Sequence, residues 1–155
     1  MTMKNQYTDA QPSPLSEHDF RAWLEEKVEQ LHTETRVLVY DYWRRLNAEQ
    51  KNQPNSGRGR IGVRVRRREA NLSFSIEWFR MAMIRQGGKS KPIAKYLKKG
   101  RGHHYPLAGF LNGEPEWEAD LVTELETEFA DIRKQLVLLG KVRMALQAYH
   151  KAVAK

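Results

Sequence analysis

From Arg60 to Arg80 the chain alternates apolar and polar residues with a period of two. Ile61, Val63 and Val65 fall at one parity, and Arg60, Arg64, Arg66 and Arg68 at the other. That pattern belongs to a strand with one buried face and one open face. The next run repeats it, setting Leu72, Phe74, Ile76 and Trp78 against Ser73, Ser75 and Glu77. A polar turn around Glu69-Ala70-Asn71 would join the two runs as an antiparallel hairpin. Pairing Val65 with Phe74, Val63 with Ile76 and Ile61 with Trp78 keeps the apolar faces together, and sets Arg66 opposite Ser73 and Arg64 opposite Ser75. A slip of one residue would put arginines under the core.

Helical patterns flank this hairpin. Ser16 reads as an N-cap with Asp19 three residues on, followed by Phe20, Leu24, Val28, Leu31, Thr35, Leu38, Tyr42 and Leu46 in steps of three and four. Trp23, Val39 and Trp43 widen that face. Near Lys51 the helix gives way to the loop 52–57. A second helix is predicted from near Glu114, with Pro115 in its first turn and an apolar face running from Trp117 through Leu121, Leu125, Phe129 and Ile132 to Val153. Its interior Gly140 suggests close approach of the first helix. In the middle, Gly87-Gly88 marks a turn, and Ile93 to Leu97 is read as a third strand that leaves Lys95 exposed beside the arginines. The fold class expected is α+β: two long amphipathic helices flanking a small antiparallel sheet built on a basic hairpin. Residues 1–15, polar and containing Pro12 and Pro14, read as a mobile tail. Residues 16–155 read as one α-β-α domain.

Charge is concentrated where the strands are. The protein has 155 residues and a net charge of +8. Residues 54–104 hold 14 basic and two acidic residues, a net +12, while 16–53 and 113–155 each come to −2. A localised positive field of this kind is the footprint of a nucleic-acid binder. The chain has no cysteine, so disulfides, zinc-thiolate sites and cysteine nucleophiles are excluded. No apolar run approaches the roughly 20 residues of a membrane span, and the first 15 residues lack a signal-peptide core. The expected location is the cytoplasm.

The residues predicted to meet phosphate are Arg58, Arg60, Arg64, Arg66 and Arg68, with Arg80, Lys95, Lys98, Lys99, Arg101 and His103 in support. Against this stands the plainer reading of an arginine-rich strand as a solubilising edge. Glycines beside Arg58 and Arg101 would let backbone amides approach a phosphate, and they are equally ordinary turn residues. His103-His104-Tyr105 does not make a nicking site, because adjacent histidines in extended chain point to opposite sides. A metal-dependent nuclease would need clustered carboxylates near the basic surface, where only Glu69 and Glu77 stand. The expectation is therefore a protein without catalytic residues, metal or cofactor. Trp78 and Phe74 belong to the core. Phe79 lies on the open face and could stack with a base or pack against a helix.

Taken together, Tyr42-Trp43-Arg-Arg, Arg60-Ile-Gly-Val-Arg-Val-Arg-Arg-Arg68, Ser75-Ile-Glu-Trp-Phe-Arg80 and Lys99-Gly-Arg-Gly-His-His-Tyr-Pro106, followed by a long helix, resemble the MobI-type conjugative transfer proteins over about residues 36–150. The resemblance implies an accessory factor at the origin of transfer, working with a relaxase, and carries no assigned residue roles. On this reading the partners are nucleic acid, DNA in preference to RNA, together with a transfer protein and a possible second copy met through the helices. The alternatives are an RNA-binding or ribosome-associated protein and a helical adaptor for an acidic protein.

Overall fold

The computed structural model describes residues 16–54, 57–68 and 72–154. The expected tail and the expected turn at Glu69-Ala70-Asn71 lie outside the described residues. The fold is α+β, in the order α1 (Glu17–Gln50), β1 (Ile61–Arg68), β2 (Ser73–Gln86), β3 (Lys89–Tyr96), α2 (Leu107–Phe110) and α3 (Glu116–Val153). The three strands form one antiparallel sheet in the order β1-β2-β3.

Helix α1 begins as its sequence directs. The Ser16 side chain accepts from the Asp19 N–H, and the Asp19 carboxylate accepts from the Ser16 N–H, a reciprocal capping box. Helix α3 starts two residues later than expected, so Pro115 is its N-cap and not part of its first turn. The helices run antiparallel. Arg45 near the end of α1 bonds Glu124 near the start of α3, and Glu17 at the start of α1 meets His150 near the end of α3 at 2.7 Å.

The core lies where one end of this pair meets the sheet. Trp78 of β2 is fully buried between Tyr42 of α1 and Phe129 of α3, with ring centroids 5.2 and 5.6 Å away. Ile61, Val63, Phe74 and Ile76 surround it, so the apolar face of the hairpin is the one the alternation picks out.

The pairing itself is shifted. Val63 sits opposite Trp78, Val65 opposite Ile76 and Arg67 opposite Phe74, two residues from the expected register. A shift of two keeps every side chain on its own face, so apolar alternation cannot separate the two pairings. Specific contacts favour the observed one. Arg64 stands directly across from Glu77 and bonds it at 3.0 Å. Arg67, at core-face parity, makes a two-pronged bond to Glu29 of α1 at 2.7 and 2.9 Å. That bond holds the Glu29 carboxyl below its ordinary range.

The third strand begins earlier than expected, at Lys89, and β2 runs on to Gln86, with Gly87-Gly88 as the turn between them. Along its free side β1 is covered by α1. Tyr42 donates to the Ile61 carbonyl at 2.6 Å, Trp43 to the Val63 carbonyl at 3.1 Å and Gln50 to the Gly59 carbonyl at 3.0 Å.

Gly140 does not mark a helix–helix contact, because a Cβ there would meet nothing within 4 Å. It is simply a weak point in α3. Gly140→Ala is expected to stabilise the protein by about 0.5–1 kcal/mol, raising the melting temperature by about 2–4 °C in a thermal scan.

Candidate nucleic-acid interface

The face of the sheet turned away from the core carries Gly62, Arg64, Arg66 and Arg68 of β1, Ser73, Ser75, Glu77 and Phe79 of β2, and Tyr96 of β3. Its centre is aromatic. Phe79 stacks between Tyr96 and Trp43, with centroids 5.4 and 6.2 Å away, and the Arg64 guanidinium lies 3.9 Å over the Tyr96 ring. Trp43 belongs to α1, so Phe79 packs against a helix, one of the two roles its position in the sequence allows. Gly62 lets the aromatic rings close over β1, since a Cβ there would lie 2.3 Å from Phe79 and 2.7 Å from Trp43.

Not all of the predicted cations are equally free. Arg80 is half-buried beside α2, where it pairs with Glu114 at 3.1 Å, donates to the Phe110 carbonyl and lies over the Phe110 ring. Arg60 shares the same Glu114 at 3.3 Å while remaining exposed. Arg64 is held by Glu77 and Tyr96. Lys99 turns back onto the carbonyl oxygens of Gly100 and Gly102. His103 is half-buried, with its carbonyl bonded by Arg133.

Arg58, Arg66, Arg68, Lys95, Lys98 and Arg101 remain exposed, and none forms an ion pair among the described residues. Lys95, however, opposite Arg80, stands on the other face of the sheet and not beside the β1 arginines as expected. No acidic residue occurs anywhere in 78–113, so this part of the chain supplies no compensation of its own. Arg68 and Lys99 line one groove with Ser73, Ser75, His103 and the acidic Glu25 and Glu77, which brings the end of β1 and the basic loop after β3 together.

A buried network, one that the apolar periodicity does not reveal, holds that loop in place. Glu126 and Arg133 of α3 pair at 2.6 Å with side chains 2% and 8% exposed. Glu126 also accepts from the Trp78 indole at 3.1 Å and from the Tyr105 N–H at 2.9 Å. Arg133 donates to the carbonyls of His103 at 2.8 Å and Ile76 at 3.2 Å, and its guanidinium lies 4.7 Å over the Tyr105 ring. Most of the pair's donors and acceptors are met in this way, which is what makes a buried charge pair tolerable, and among the described residues only the Arg133 Nε of the pair is left without a partner. Tyr105 is therefore a core residue.

The hydroxyl and carboxylate groups in this region serve packing. Glu118 is fully buried against β1, and burial pushes it up to about 7. The Glu114 carboxylate beside it works in the same direction, while the Arg60 and Ile61 amides pull it down. Among the described residues no group of three or more His, Asp or Glu side chains is arranged to hold a metal ion.

A family model described as MobI protein matches residues 31–147, an interval that takes in most of α1, the whole sheet, the basic loop and most of α3. No curated protein and no solved structure matches the chain.

Proposed function

The chain belongs to the MobI protein family, and on that premise we propose that it is a non-enzymatic, DNA-binding accessory factor that acts in the cytoplasm at the origin of transfer, alongside a relaxase. Membership supports a part in conjugative mobilisation. The observation that carries DNA binding is the group of exposed cations without an ion pair among the described residues: Arg58 before the sheet, Arg66 and Arg68 on its open face, and Lys98 and Arg101 in the loop after β3, where residues 78–113 hold no acidic side chain. Contacts of this type fix a protein on the phosphate backbone without reading sequence. The two helices supply the scaffold. In keeping with a non-membrane role, no helix among the described residues is long and apolar enough to cross a membrane.

The test is fluorescence anisotropy with a 30-base-pair duplex, its single strand and a structured RNA, each over a salt series. Wild-type protein is expected to bind duplex with a steep salt dependence. Arg66→Ala/Arg68→Ala/Lys98→Ala/Arg101→Ala should flatten the slope of log K against log salt by up to about 3.6, at roughly 0.9 for each duplex phosphate no longer neutralised. An unchanged slope would remove this surface as the binding site. Preference for the RNA would replace the DNA reading with an RNA-binding one.

A further inference from the structure

Past Arg80, strand β2 leaves β1 behind and pairs with β3 alone. Met81 to Gln86 and Lys89 to Ala94 thus form a free two-stranded ribbon, and no residue from Met81 to Tyr96 is buried. At about 3.3 Å per residue the ribbon extends roughly 20 Å. Its tip is Gly87-Gly88, with φ of 61° and 78°, the two left-handed positions of a tight hairpin turn. A tip without side chains is the narrowest end a ribbon can have.

The two faces of the ribbon differ. Met81, Met83, Pro92 and Ala94 share one face, with Met81 opposite Ala94 and Met83 opposite Pro92. Met83 is 65% exposed, and nothing in the fold covers it. Lys89, Lys91 and Lys95 stand on the other face with the half-buried Ala82, Ile84 and Ile93, and Arg85 lies beyond Met83, on Met83's own face, toward the tip. An apolar strip on a free arm set among cations does not suit self-association, since a second copy would bring like charges together. It also does not suit reading base edges in a major groove, because methionine and proline offer no hydrogen-bond donors there. Methionine and proline are, however, among the side chains that open base steps from the minor groove and kink the duplex.

We propose that the β2–β3 ribbon is a DNA-bending arm: it enters the minor groove of duplex DNA, inserts Met83 and Pro92 at a base step, and is held by phosphate contacts from Arg85, Lys89 and Lys91. This rests on the duplex-binding reading above and adds a second binding surface, separate from the Arg66, Arg68, Lys98 and Arg101 group.

The experiment labels the two ends of a 30-base-pair duplex for energy transfer and follows anisotropy on the same samples. Wild-type protein at saturation should raise transfer efficiency, as expected for a kink of about 20–90°. Met83→Ala/Pro92→Ala, brought to saturation as read by anisotropy, should lose the rise, because the cations that hold the duplex are kept and the inserting side chains are gone. Arg85→Ala/Lys89→Ala/Lys91→Ala should lower the salt slope by up to about 2.7. Circular dichroism of both variants should match wild type. A saturated but unbent duplex, or bending that survives Met83→Ala/Pro92→Ala, overturns the arm while leaving DNA binding intact. Failure of wild type to bind duplex at all overturns the DNA reading and the arm with it.

Discussion

Glu126→Ala is expected to cost about 3–5 kcal/mol, because it strands the Arg133 guanidinium in the core without its counter-charge. The same change removes the acceptor for the Trp78 indole and for the Tyr105 N–H. Against a total stability of roughly 5–15 kcal/mol for a domain of this kind, that loss is a large share of the margin. Urea unfolding followed by tryptophan fluorescence will report it directly, since Trp78 is a partner of the deleted carboxylate. Glu126→Gln/Arg133→Met tests the cause. If the uncompensated charge dominates, the double variant will be more stable than Glu126→Ala despite changing two residues. If the missing hydrogen bonds dominate, the double variant will be no better. The network also anchors His103 and Tyr105, so a folded Glu126 variant should bind nucleic acid more weakly through the loosened Lys98–Arg101 loop.

Stability will fall as pH rises from about 4.5 to about 7, and Glu118 is the reason. Its carboxyl is pushed from an ordinary 4.5 up to about 7 by burial and by Glu114. Between those values the folded protein keeps a proton that the unfolded chain releases. The contribution is fully present at low pH and disappears as pH passes the folded value. The stability lost by this route between low pH and pH 7 or above is about 3 kcal/mol. Glu118→Gln should flatten the melting temperature across this window and leave the protein more stable than wild type at pH 8. The carboxylates held low by partners, Asp19, Glu29, Asp41 and Glu124, act with the opposite sign and below that window, while His32, held below its ordinary 6.5 chiefly by burial, opposes Glu118 within it. Profiles of wild type and Glu118→Gln that run parallel from pH 5 to 8 would show that Glu118 is not protonated in the native state. The site has no slack to relieve the strain by other means: a Cβ on Gly59 would lie 1.9 Å from the Glu118 carboxylate.

The parts of this fold that depend on period were legible in the sequence. The steps of three and four in α1 and α3 and the alternation in β1 and β2 assign Leu24, Leu31, Tyr42, Trp78, Leu125 and Phe129 to the core, where they lie. Register was not legible, because a shift of two residues conserves the inside and outside of every strand. The long β2–β3 ribbon was hidden for a related reason: Lys89-Ser-Lys is polar throughout and Pro92 reads as a strand breaker, so this exposed strand start has no apolar alternation to show. The Glu126–Arg133 pair was overlooked although a signal existed. Glu118, Val122 and Glu126 recur at intervals of four, and Arg133 follows seven residues after Glu126, all alongside the apolar stripe. Charged residues at core spacing are the mark of a buried network. Of the candidate interface, the sequence identified the cations but not their commitments: Arg80 and Arg64 are as basic as Arg66 and Arg68, and only the neighbouring Glu114, Glu77 and Tyr96 separate them.

The three bonds from Tyr42, Trp43 and Gln50 to the carbonyls of Ile61, Val63 and Gly59 have a consequence for assembly. A strand on the rim of a sheet is an invitation to any extended chain, and here the outward carbonyls of the first half of β1, at Ile61 and Val63, are already taken by α1. The opposite rim is guarded differently. The Leu97 N–H bonds the Trp78 carbonyl, so by alternation Pro92 occupies a position whose missing N–H would have faced outward, among Lys89, Lys91 and Lys95. Helix cover along the start of one rim, and a proline among lysines on the other, let the sheet hold long, exposed, strongly basic strands while weakening both rims as templates for further pairing.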